Sequence, residues 1–156
     1  IKPDVVTLAK ALGCGVPVGA FVAKEEYAAA LVPGDHGSTY GGNPFAAAAI
    51  SKVFELFEKQ QVLENVREVS AYLEKQLDVL AEKYACIKER RGRGMMQGLE
   101  FDRPVKEIIK KAMGAGLITF SAGERVIRFV PPFVIGKEHV DEMIKILEPV
   151  IAEEEQ

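Results

Sequence analysis

Apolar residues recur at Val62, Val66, Val69, Leu73, Leu77 and Leu80. Steps of four and three lay one apolar stripe along a helix. Glu64, Arg67, Glu68, Glu74, Lys75 and Asp78 fill the opposite side, and the pattern predicts a helix that ends near Tyr84. A second stripe, Val140, Met143, Ile144, Leu147 and Ile151, predicts a helix over residues 137–152. Pro149 is expected to kink or fray its end. Between the two stripes the period changes. Residues 86–90 and 95–101 read as strands around the turn Arg91-Gly92-Arg93-Gly94. Residues 104–113 read as a short helix, stopped by Gly114 and Gly116. Residues 117–120 and 126–130 read as two further strands, and the acidic tail 153–156 as disordered. Helix, two strands, helix, two strands, helix predicts a small α+β domain over residues 61–156, an antiparallel sheet covered by helices on one face.

Residues 1–60 carry a different pattern. The run Val5-Val6-Thr7-Leu8-Ala9 reads as a buried strand and residues 18–23 as a second. Residues 24–31 predict a short helix. Residues 34–44, GDHGSTYGGNP, predict a loop, and Asn43-Pro44 is a good N-cap and first-turn pair for a helix over residues 45–58. This half resembles one piece of an α/β layer, so the chain as a whole falls in the α/β class.

Composition narrows the partners. The chain has 156 residues, 48 % of them apolar and 28 % charged, with a net charge of −3. That is the globular range. No basic stretch points to nucleic acid, and no apolar run approaches the roughly 20 residues of a membrane helix. Residues 1–4 do not resemble a signal peptide. No initiator methionine is present, so a processed, cut or incomplete chain is expected. Cys14 and Cys86 lie far apart without metal-ligand spacing, which predicts two free, partly buried thiols, a cytoplasmic setting and no metal.

Three places could carry chemistry. Lys10 follows the apolar run and precedes Gly13-Cys14-Gly15. It reads either as a solvated surface lysine or as a partly desolvated amine able to attack an aldehyde. Ser38 and Thr39 lie among glycines ahead of a helix N-terminus. They read either as a flexible loop or as a phosphate cradle. Arg128 alternates with Val126 and Val130. It reads either as an edge-strand arginine reaching solvent or as a clamp for a carboxylate. His36 is a lone loop histidine. Arg90, Arg91 and Arg93 read as a solvated hairpin tip, with an anion site as the alternative.

The stretches PDVVTLAKALGCGVPVGAF, HGSTYGGNP, RGRGMMQGLEF and GLITFSAGERVIRFVPPFVI occur in one order across almost the whole chain. In that order they resemble the class III, pyridoxal-phosphate-dependent aminotransferases. GERVIRFVPPFVI and the TLAKALG context look most like the acetylornithine branch, with the ornithine and 4-aminobutyrate branches next. The resemblance implies a fold-type I transferase in which residues 1–60 are the end of the large, cofactor-binding domain and residues 61–156 the small C-terminal domain. It implies Lys10 as the Schiff-base lysine and proton shuttle, and Thr39, with Ser38 beside it, as a ligand of the cofactor phosphate across a homodimer interface. Arg128 would sit at the substrate carboxylate. Amino-acid and 2-oxo-acid substrates follow, with pyridoxal 5'-phosphate as cofactor. Cys14 stands where the family often has a third glycine. Full members are more than twice this long, and their upstream part holds the aspartate, the stacking aromatic and the main phosphate turn. The chain is therefore expected to be a C-terminal portion, inactive alone. A non-catalytic α+β interaction module and a glutamate-1-semialdehyde mutase are the competing readings.

Overall fold

The computed structural model describes residues 1–155, in two units comprising residues 1–61 and residues 62 onward. Unit 1 runs β1 (Val5–Leu8), a 3-10 turn (Lys10–Gly13), β2 (Ala20–Ala23), α1 (Glu25–Ala28) and α2 (Pro44–Lys59). β1 and β2 pair antiparallel, with Val5 opposite Ala23 and Leu8 opposite Ala20. The run at residues 5–9 is therefore a strand, but not a buried one. All four β1 residues are exposed, because a two-stranded ribbon buries neither face. The strand also stops at Leu8, since the backbone turns left-handed at Lys10. The start of α2 follows its sequence closely. Asn43 Oδ1 accepts from the Ala46 N–H at 3.0 Å, and Pro44 occupies the first turn, where a missing N–H costs nothing.

Unit 2 runs α3 (Val62–Lys83), β3 (Ile87–Arg93), β4 (Met96–Phe101), α4 (Lys106–Gly114), β5 (Phe120–Ser121), β6 (Val126–Phe129) and α5 (Lys137–Glu153). Its four strands form one antiparallel sheet in the order β3-β4-β6-β5. Alternation along β4 and β6 turns Gln97, Leu99, Phe101, Ile127 and Phe129 inward, each at most 5 % exposed. The four apolar ones meet Leu73, Leu77 and Leu80 of α3 and Val140, Leu147 and Ile151 of α5 in one core. Each such apolar side chain contributes about 1.5–3 kcal/mol by leaving water. Gly92, at φ 149°, sits where an added Cβ would lie 2.3 Å from the Met96 carbonyl oxygen, so the hairpin between β3 and β4 requires glycine there.

Two sequence expectations change at the C-terminal end. α5 passes through Pro149 to Glu153 because Val150 and Ile151 are buried in the core, which outweighs one missing backbone donor. The tail is not loose as far as residue 155. Glu155 Oε1 accepts from the Cys86 N–H at 2.7 Å, the Glu154 carbonyl accepts from Arg103 Nη1 at 2.6 Å, and Glu154 Oε1 pairs with Lys111 Nζ at 2.9 Å. Gln156 lies outside the described residues. Among those residues no helix is long and apolar enough to cross a membrane.

Both thiols are free, but they differ. Cys14 is exposed, whereas Cys86 is 2 % exposed and its thiol is pushed up to about 11 by burial and by the neighbouring Glu155 carboxylate. At pH about 8 Cys86 is therefore neutral and shielded. A thiol reagent is expected to modify Cys14 promptly and Cys86 only as fast as unit 2 opens, read by mass spectrometry. Equal rates at the two sites would contradict this burial.

Candidate functional site

Lys10 sits where the chain leaves β1. Ala9 is still extended at φ −159°, and Lys10 then turns to φ 55°. Cys14 closes the turn at φ 47°, also left-handed, and its N–H donates to the Ala11 carbonyl. Left-handed backbone costs an L-residue with a Cβ about 1–2 kcal/mol, so the chain holds a lysine in a conformation that glycine would adopt freely. Tight packing fixes the end of this turn. A Cβ at Gly13 would meet Val18 Cγ1 at 2.7 Å. The turn packs on α2. The Lys10 side chain is exposed, as in the solvated one of its two sequence readings, and its amine has no ion-pair or hydrogen-bond partner among the described residues.

Ser38 and Thr39 lie in the loop ahead of α2, both exposed and with side-chain hydroxyls unpartnered among the described residues. A Cβ at Gly41 would approach Ser38 Oγ to 2.9 Å, so the glycine keeps space beside that hydroxyl. Asn43 braces the loop from the other side, with Nδ2 donating to the Tyr40 carbonyl at 2.8 Å. The hydroxyls are thus available to an oxyanion, but one N–H of the helix end is already taken by the Asn43 cap. Lys10 and the hydroxyl pair both belong to unit 1, the one on the turn that packs on α2 and the other on the loop that leads into α2. A free amine suits an aldehyde and free hydroxyls suit a phosphate, the two reactive ends of pyridoxal phosphate.

Arg128 belongs to unit 2. It stands on the open face of the sheet, in a row with Gly98 of β4 on one side and Phe120 of β5 on the other. Val126 is buried and Val130 exposed, so the strand leaves the core as it reaches Pro131-Pro132. Arg128 is exposed, and its side chain has no carboxylate partner among the described residues. Arg90 behaves differently. It donates to Asp78 at 2.6 and 3.3 Å and to Gln97 Oε1 at 3.2 Å, and Arg91 pairs with Glu89 and Glu100. Arg90 thus ties the hairpin to α3 and Arg91 pairs within the sheet, so neither guanidinium stands open to an anion.

Sequence reasoning missed one feature. A cavity of about 270 Å³ opens beside Arg128, lined by Leu117, Ile118, Thr119, Phe120 and His139 among others. His139 Nδ1 accepts the Gly136 N–H at 3.0 Å, capping α5. Thr119 is 4 % exposed, and among the described residues its Oγ1 is the buried side-chain oxygen without a hydrogen-bond partner. An interior threonine in a short apolar run gives no sequence signal; only its burial reveals it. Among the described residues no cluster of histidine, cysteine or acidic side chains could hold a metal ion.

A family model described as Aminotransferase class-III matches residues 1–151. The acetylornithine aminotransferase of Gloeobacter violaceus is 50 % identical over 154 residues, covering 97 % of this chain and 38 % of the relative. The chain thus spans well under half the length of that relative. Among solved structures, an ornithine delta-aminotransferase of Plasmodium falciparum superposes with a TM-score of 0.93 at 34 % identity, over 99 % of this chain and 42 % of that one. The ornithine aminotransferase of Toxoplasma gondii, crystallised with oxidised glutathione and showing partial occupancy of PLP at its active site, gives 0.92 at 28 % identity, over 98 % and 37 %.

Proposed function

The chain belongs to the class III aminotransferases, and on that premise we propose that it forms the C-terminal part of an enzyme moving an amino group from N-acetylornithine, or a similar ω-amino donor, to 2-oxoglutarate. Residues 1–60 then complete the cofactor domain and residues 61–156 form the small domain. The observation that carries this reading is Lys10. An exposed, unpartnered amine is held at φ 55° on a glycine-bracketed turn. Strain of this kind persists where the surrounding structure imposes it, and functional sites are where it gathers.

Pyridoxal phosphate, when bound, would supply an electron sink for the carbanion left when the carbon bearing the reacting amino group loses its proton. The chain's own residues do the rest. Lys10 Nζ would hold the cofactor at its aldehyde carbon and would take and return the proton on the carbon that bears the reacting amino group. Ser38 and Thr39 donate hydroxyl hydrogen bonds to phosphate oxygens, with Thr39 serving the cofactor of a second subunit in a homodimer. Arg128 holds a substrate carboxylate through its guanidinium, which is always charged and forms two parallel hydrogen bonds. The structural likeness to ornithine aminotransferases makes ornithine the second choice of donor.

Borohydride reduction of the chain after incubation with pyridoxal phosphate, followed by peptide mapping, tests the assignment. The label is expected on Lys10 and is expected to vanish in Lys10→Arg. Label spread evenly over the surface lysines would overturn it.

A further inference from the structure

Ile151 is the last fully buried side chain of α5. Beyond it Glu153 and Glu155 are exposed and Glu154 is half-buried. The chain leaves the core there, yet a row of polar contacts holds it. Lys111 Nζ of α4 pairs with Glu153 at 3.1 Å and with Glu154 at 2.9 Å. Arg103 Nη1 donates to the Glu154 carbonyl at 2.6 Å, while its Nε donates to Asp102 at 2.7 Å. Glu155 Oε1 accepts from the Cys86 N–H at 2.7 Å, and the Cys86 carbonyl accepts from the Asp102 N–H at 2.9 Å. The row thus runs from α4 to the residue that precedes β3.

Energetics sets this segment apart from the rest of unit 2. The sheet, α3 and α5 are joined by buried apolar side chains. Residues 153–155 bury none. Partly exposed ion pairs such as those of Lys111 contribute little to stability. A segment held in this way opens locally, at far less cost than unfolding the core. What lies beneath it is well sealed. Cys86 is 2 % exposed, and burial and the Glu155 carboxylate both keep its thiol protonated.

We propose that residues 153–155 act as a polar strap that opens as one piece while the core of unit 2 stays folded, and that this opening is what uncovers Cys86. The anchors are Lys111 at one end and the Cys86 amide at the other, with Arg103 between them. Lys111 bonds to Glu153 and Glu154 and not to Cys86, so its influence on the thiol passes through the strap. The strap uses none of Lys10, Ser38, Thr39 and Arg128 and stands apart from the reading of those residues.

Alkylation of the 156-residue chain by iodoacetamide at pH about 8 tests this, with peptide masses giving the rate at each thiol and exposed Cys14 serving as the reference. Glu155→Ala is expected to raise the Cys86 rate relative to Cys14 by about tenfold or more, the effect of losing one contact to a charged group. That variant also removes a carboxylate from beside the thiol, so Lys111→Met decides. It leaves every partner of Cys86 in place and is expected to raise the rate about two- to fivefold, with the urea midpoint of unit 2 unchanged. Glu68→Ala breaks the Lys137–Glu68 pair at the other end of α5 and is expected to leave the rate as it is. Val69→Ala weakens the core without touching the strap. It is expected to lower the urea midpoint and leave the Cys86 rate unchanged. An unchanged rate in Lys111→Met would show that the three residues do not open as one piece and would overturn the proposal. A Cys86 rate that climbs in Val69→Ala as the midpoint falls would overturn it too, since the thiol would then be reached by unfolding of the core.

Discussion

Replacing Lys10 by alanine is expected to lower kcat by at least about 10³-fold in an assembled enzyme, since proton transfer alone contributes about 10²–10⁴. The assembled form is a chimera of this chain with the upstream region of the Gloeobacter violaceus relative, which matches it at 50 % identity. The 156-residue chain by itself is expected to show no turnover with N-acetylornithine and 2-oxoglutarate, because it spans well under half the length of the aminotransferase it matches. Glutamate formation is the readout. A Lys10→Ala chimera within tenfold of the unaltered one would remove Lys10 from the mechanism, and turnover by the chain alone would remove the need for the rest. Backbone geometry supplies a control. Alanine pays the same left-handed cost at φ 55° as lysine. Glycine does not, so Lys10→Gly is expected to stabilise unit 1 by about 1 kcal/mol while abolishing activity equally. Opposite signs for stability and activity at one position separate a functional lysine from a merely structural one.

What the sequence could show depended on how locally each feature is determined. The stripes of α3 and α5 are set by residues three and four apart, and the structure places both in the core where their period put them. Asn43-Pro44 is equally local, and so is the start of α2. Depth is not local. The apolar run at residues 5–9 has the composition of a buried strand, yet burial depends on what lies over the ribbon, and β1 has only β2 as a strand partner. The acidic tail shows the reverse. Its residues look solvated in isolation, but Arg103, Lys111 and the Cys86 amide come from 43 to 69 positions away to hold it. Among the candidate residues, the types of Lys10, Ser38, Thr39 and Arg128 were legible and their surroundings were not. No local pattern encodes the left-handed turn at Lys10, the open-face position of Arg128 or the unpaired hydroxyl of Thr119. Each is a product of packing between distant segments.

Phe101→Ala is expected to destabilise unit 2 by about 3–5 kcal/mol, the range for losing a buried aromatic side chain. Phe101 is 1 % exposed at the end of β4, in the same core as Leu77, Leu99 and Leu147. Its N–H donates to the Arg125 carbonyl at 2.8 Å, so the backbone around the new cavity is pinned and cannot collapse to fill it. Stability of about 0.05–0.15 kcal/mol per residue gives a unit of this size roughly 5–14 kcal/mol in all. One substitution therefore removes a large share, and urea unfolding is expected to show a markedly lower midpoint for the amides of residues 62–155. The same exchange at Phe21, which is 54 % exposed on β2, is expected to stay within about 0.5 kcal/mol. Chemistry is identical in the two variants, so the difference isolates burial. A Phe101→Ala chain with an unchanged midpoint would mean that the inner face of the sheet is not the core, and the placement of Arg128 on the opposite, open face would fall with it.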